Sequence, residues 1–145
     1  MKQMASELTR QETIALTGVS SSRLSYMDST GLISPEKSGN PKHPKVTYSW
    51  DKIIRIKLID RLRGKLSLQE IRIVLSSLNE QSYSPSLFDC NLIFIDKQLY
   101  VLKDWKDFGT KVLEVSRKNK GQVVIHEIGS INQIIAELQI YEMDS

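Results

Sequence analysis

Cysteine occurs once in the 145 residues, at Cys90, and histidine twice, at His43 and His126. A lone thiol excludes an internal disulfide and any multi-cysteine metal site, so a reducing cytoplasm is the expected compartment. Two distant histidines, no glycine-rich phosphate loop and no carboxylate pair in an apolar setting leave no candidate catalytic residue and no expected cofactor. No apolar run approaches the ~20 residues that a membrane span needs. The opening MKQMASELTR has no signal-peptide core. A cytoplasmic, non-enzymatic protein with no membrane partner is the expectation.

What is present is unevenly charged. The net charge of +3 combines a basic part and an acidic one. Residues 1–80 carry thirteen Lys and Arg against eight Asp and Glu, whereas residues 81–145 carry seven against nine. A basic N-terminal half followed by a near-neutral partner fits a nucleic-acid reader joined to an assembly domain.

Local signals divide the chain into elements. Thr9-Arg10-Gln11-Glu12 has the form of a capping box. It opens a short helix expected to turn Ile14 and Ala15 inward and to end at Gly18. Ser20 can cap a second helix with Leu24 and Met27 inside, closed by Gly31. Two short helices joined by a tight glycine-containing turn form a helix-turn-helix. Residues 34–47, SPEKSGNPKHPKVT, hold three of the four prolines and three lysines, which predicts an exposed, positively charged hairpin or loop. Ser49 then caps a helix with Ile54, Leu58, Ile59 and Leu62 at helical spacing. Ser67-Leu68-Gln69-Glu70 is a second capping box, and Ile71, Val74, Leu75 and Leu78 line the helix it starts.

The character changes after Gln81. SYSPS, residues 82–86, is linker-like. Residues 91–102, NLIFIDKQLYVL, predict two strands around Asp96-Lys97, although this is not a preferred hairpin turn. Trp105, Phe108, Val112 and Val115 give a helix signal weakened by Gly109, with a strand at 112–116 as the alternative. Gly121 resets the chain, QVVIHEI reads as a buried strand, and Ser130 caps a last helix with Ile131, Ile134, Ile135 and Leu138 on one face. Cys90 is expected to be a buried thiol and not a metal ligand, and His126, in an apolar strand, a core or interface residue.

Five groups of residues, in register across residues 8–80, resemble the MerR-type winged helix-turn-helix family. They are Ala15 with Thr17-Gly18-Val19-Ser20; Leu24-Ser25-Tyr26-Met27-Asp28, where the family usually has Leu-Arg-Tyr-Tyr-Glu; Gly31-Leu32-Ile33-Ser34-Pro35; Tyr48-Ser49 after the wing; and Leu66-Ser67-Leu68-Gln69-Glu70-Ile71. The resemblance implies an α+β fold: a winged helix-turn-helix DNA-binding domain over residues 1–80 and a small α/β dimerisation domain over 83–145. It also implies that the second helix enters the major groove of double-stranded DNA by its N-terminal end. Ser20, Ser21, Ser22, Arg23 and Tyr26 would then face the duplex, and Lys37, Lys42, His43, Lys45 and Tyr48 would contribute from the wing. Ser25 stands where the family has an arginine, Met27 replaces an aromatic, and Val46 takes the place of a wing arginine.

Neither the long dimerising helix nor a sensing segment of MerR-type activators is evident after residue 80, so no small-molecule effector is expected. A constitutive repressor acting at the nucleoid, bound as a homodimer to a palindromic operator, is the leading expectation. Its interface would include Ile131, Ile134, Ile135 and Leu138, some of them exposed in the single chain. The build is similar to short MerR-type repressors that accompany CRISPR-associated transposons in cyanobacteria. It is also similar to MerR-like antitoxins, which leaves open an antitoxin that neutralises a toxin through its C-terminal domain and autoregulates its operon.

Overall fold

A computed structural model describes residues 7–80, 85–120 and 123–138. Those residues form six α-helices and two three-stranded antiparallel sheets. By contact they divide into two compact units, one with the residues up to Asp60 and from Ile135 on, the other Arg61–Ile134.

In the first unit, β1 (Glu7–Thr9) leads directly into α1 (Arg10–Thr17). The capping box is complete: Thr9 Oγ1 accepts from Glu12 N at 3.1 Å and Glu12 Oε1 accepts from Thr9 N at 2.9 Å. Gly18 ends the helix at φ 73°, a left-handed conformation that glycine enters without steric cost. The inner face of α1 differs from the expected one. Thr13, Leu16 and Thr17 are buried, while Ile14 is half-buried and Ala15 exposed. Threonine can face inward because its hydroxyl is satisfied along the helix: Thr13 Oγ1 donates to Thr9 O at 2.8 Å and Thr17 Oγ1 to Thr13 O at 2.7 Å.

α2 (Ser21–Ser29) buries Leu24 and Met27, as its spacing predicts. The proline-rich segment becomes a wing. β2 (Glu36–Ser38) and β3 (Lys45–Ser49) pair antiparallel, and β3 also pairs with β1 on its other edge, opposing Leu8 to Tyr48. β1 carries no signal in the sequence, because three residues are too few to show alternation. α3 (Trp50–Leu62) is capped by Ser49, whose Oγ accepts from Lys52 N at 3.3 Å. Ile53 and Ile56 are buried along with the four predicted positions.

In the second unit, α4 (Leu68–Glu80) has its capping box and its four predicted core residues in place. It packs on β5 of the second sheet, so residues 61–80 group with that sheet and the compact units do not divide at the expected 80–83. Residues 82–84 of the expected linker lie outside the described residues, and Pro85–Leu87 form a single 3-10 turn. The second sheet has the order β5 (Gln98–Leu102), β4 (Asn91–Ile95), β6 (Ile125–Gly129). Asp96 and Lys97 turn the hairpin with φ 50° and 63°, the two positive values of a type I′ turn, built here without glycine. α5 (Trp105–Lys118) is a continuous helix through Gly109, so the alternative strand at 112–116 does not form. Its Val115 completes a core with Ile93, Ile95 and Leu102, flanked by Tyr100, Phe108, Val112 and Ile125. The last strand begins later than QVVIHEI predicts, at Ile125, and Gly121 lies outside the described residues.

α6 (Ile131–Ala136) is capped by Ser130, whose Oγ accepts from Gln133 N at 3.2 Å. Ile131, Ile134 and Leu138 are buried and Ile135 is half-buried, so the apolar face expected to lie partly open is largely closed in the single chain. Cys90 is a buried free thiol and His126 is half-buried on β6. Among the described residues no helix is long and apolar enough to cross a membrane.

Candidate nucleic-acid interface

The first turn of α2 is a row of hydroxyls. Ser20 is its N-cap, accepting from Arg23 N at 3.3 Å, and its Oγ lies 3.2 Å from Ser22 Oγ. One serine therefore satisfies the capping requirement, while Ser20, Ser21 and Ser22 all remain exposed to an outside partner. The partial positive charge of a helix N-terminus favours an anion at this end. Tyr26, one turn further on, is 55% exposed, the largest exposed apolar surface that α2 offers.

The cations are less free than their number implies. Arg23 Nη1 lies 3.2 Å from Asp60 Oδ1 of α3, so its guanidinium is already paired. Lys37 Nζ lies 3.0 Å from Asp28 Oδ2, which holds the Asp28 carboxyl below its ordinary value, helped by a hydrogen bond from Ser34. Lys52 binds Ser34 O at 2.7 Å and Glu36 Oε1 at 3.1 Å, tying α3 to the base of the wing. Lys57 donates to Thr17 O at 3.0 Å and satisfies the end of α1. These two lysines are engaged within the domain, at the base of the wing and at the end of α1.

Between the wing strands, Gly39 takes φ 83° and Asn40 organises the turn, its Oδ1 accepting from Lys42 N and its O from His43 N, each at 3.0 Å. Lys42, His43 and Lys45 are all exposed, and none of the three has a carboxylate partner among the described residues. The wing thus presents its charge where a polyanion could displace counterions.

Tyr48 is a correction. Its ring is only 1% exposed and packs in the core, opposite Leu8 across the β1–β3 pair. Its hydroxyl is buried with no hydrogen-bond partner among the described residues, and burial pushes its pKa up. A side chain so enclosed supports the sheet from behind and is not a surface donor.

Arg10 is a residue that the sequence does not single out. It is the first residue of α1, yet its guanidinium reaches α2: Nε donates to Ser21 Oγ at 3.0 Å, and Nη2 to Ser21 O and Ser25 Oγ at 2.7 Å each. Nothing in the local sequence signals this, because the partners lie eleven and fifteen residues away.

The structure brings Ser20–Ser22, Arg23 and Tyr26 onto α2 and Lys37, Lys42, His43 and Lys45 onto the wing. Among the described residues no three His, Cys, Asp or Glu side chains gather as metal ligands. Residues 9–78 match the family described as MerR HTH family regulatory protein. No curated protein matches the chain.

Proposed function

As a DNA-binding transcription regulator whose residues 9–78 belong to the MerR HTH family, this protein acts, we propose, as a homodimeric repressor on a palindromic operator. The observation that carries the reading is the exposed hydroxyl row of Ser20, Ser21 and Ser22 at the start of α2. Beside it stands a wing whose Lys42, His43 and Lys45 face no carboxylate among the described residues. In this reading the row faces phosphates and base edges in the major groove, and the wing lysines bind the flanking backbone. Residues 1–80 act as the reading module and residues 83–145 as the assembly module.

A single winged helix covers little DNA, so two-fold pairing of half-sites supplies the missing specificity. Of the four residues expected at the dimer interface, Ile135 keeps accessible surface, whereas Ile131, Ile134 and Leu138 are buried in the single chain. Repression without an inducer rests on the sequence, whose one cysteine provides no thiolate set for metal sensing.

The test is selection of bound sites from a randomised duplex library, followed by sedimentation of the protein with and without the selected duplex. Inverted repeats bound by a two-chain species are expected, and occupancy of such a site upstream of a reporter should lower transcription. An asymmetric site bound by one chain would overturn the dimer, and increased transcription would overturn repression.

A further inference from the structure

Arg10 differs from the other cations around α2 in what it touches. Arg23, Lys37 and Lys52 each face a carboxylate: Asp60, Asp28 and Glu36 respectively. Arg10 instead hydrogen-bonds the Ser21 hydroxyl, the Ser21 carbonyl and the Ser25 hydroxyl, and it feels the Asp28 carboxylate, which Lys37 already pairs, only through space. It makes no direct ion pair among the described residues. A guanidinium has five N–H donors in one plane and stays charged at every physiological pH. The bonds to Ser21 and Ser25 use the donors of Nε and Nη2, and Nη1 has no protein partner among the described residues.

Ser21 and Ser25 are four residues apart, hence on one face of α2, and both are exposed. Ser22 and Tyr26 form the adjoining exposed row. The guanidinium is therefore fixed over the surface that the proposed docking turns towards DNA. Fixing it in the free protein removes ordering entropy that a loose arginine would lose on binding.

We infer that Arg10, lent to α2 from α1, is the principal phosphate-binding cation of this face, ahead of Arg23. The free edge also sets the ligand chemistry. Bidentate reading of guanine O6 and N7 takes two neighbouring nitrogens of the fork, and Ser21 and Ser25 already occupy Nε and Nη2. Nη1 alone remains, which suits a single phosphodiester oxygen. Arg10 thus contributes affinity evenly across sequences and little base preference.

This inference rests on the proposed docking of α2, and the experiment separates the two. The probe is a duplex selected from a randomised library by the wild-type protein, together with versions carrying single base changes. Dissociation constants are measured over a range of salt concentrations for wild type, Arg10→Ala, Arg10→Gln and Arg23→Ala. Arg10→Gln keeps a neutral donor towards the serines, and helix content by circular dichroism checks each fold. Arg10→Ala and Arg10→Gln should both weaken binding about tenfold or more. The loss should be equal on all duplexes, and each should lower the salt slope by about 0.9. Arg23→Ala removes a guanidinium that is shared with Asp60 and should lower the slope by less than either Arg10 variant does. If Arg10→Gln binds like wild type, Arg10 is only a strut between helices and the inference is overturned while the docking stands. If the loss varies from duplex to duplex, Arg10 reads bases and the phosphate assignment is overturned. A wild-type protein that selects no duplex overturns the docking and this inference together.

Discussion

The two sheets have the same plan, three antiparallel strands with the central strand paired on both edges, and they differ in what that strand buries. In β4, Leu92, Ile93, Phe94 and Ile95 are all buried, so both faces are covered and the strand reads as an unbroken apolar run. In β3 only Thr47 and Tyr48 are buried, and its neighbour β2 is exposed along its whole length. One sheet is the centre of a core. The other is a stiff mount for exposed charge. Stability should be lost by altering the first, and affinity for DNA by altering the second.

The largest separation is expected between two aromatic truncations. Phe94→Ala should cost about 3–5 kcal/mol, because a buried phenyl leaves a cavity that the sheet cannot refill. Tyr26→Ala, at an exposed position, should change stability by no more than about 0.5 kcal/mol and still weaken DNA binding. Chemical denaturation and binding titrations on the two variants make the comparison. Equal effects on stability would erase it.

A second pair lies on α6. Ile134 is fully buried, so Ile134→Asp should cost several kcal/mol, on the order of the penalty for an unpaired buried charge. Half-buried Ile135 should tolerate aspartate better in the single chain and lose self-association instead. Sedimentation of Ile135→Asp checks this, and an unchanged dimer would move the interface elsewhere.

On the wing, replacing Lys42 and Lys45 together by alanine should weaken binding evenly across duplexes. It should also lower the salt slope by about 0.9 for each phosphate that the wing ceases to neutralise, with no change in melting temperature beyond error. Behind the wing, Tyr48→Phe should raise stability by about 1 kcal/mol, since it removes a buried hydroxyl that has no partner among the described residues. It should leave DNA affinity as it was; weakened binding would restore Tyr48 to the interface.

The smallest effect belongs to Asp28. Its folded-state pKa is lowered chiefly by the hydrogen bond from Lys37. The stability it contributes is present above the unfolded-state value of 3.8 and is lost as pH falls through the lower folded-state value. At most about 1 kcal/mol is at stake for so exposed a pair. Carboxyl titration by NMR should show the midpoint rising towards 3.8 in Lys37→Ala.

Features governed by neighbours a few residues apart are legible in the sequence alone. The capping boxes at Thr9 and Ser67, the glycine stop at Gly18, the inward stripe of α4 and the hairpin at Asp96-Lys97 each depend on a short, constant spacing along the chain. The inner face of α1 departs from the expected Ile14 and Ala15 because threonine's polarity hides its ability to satisfy its own hydroxyl within the helix. The hydroxyl row at Ser20–Ser22 is readable for the same local reason as the caps.

Features made by residues far apart in the chain are not readable in this way. Arg23 meets Asp60 across thirty-seven positions and Arg10 meets Ser25 across fifteen. Tyr48 is enclosed by a strand, β1, that carries no pattern of its own, and α4 joins the second sheet although its stripe is silent about its partner. A helix or turn draws its energy from contacts at a set sequence distance, so a string of residues can announce it. Which cation is neutralised, which ring is covered and which face stays open depend on where the folded chain brings distant groups together, and no spacing encodes that.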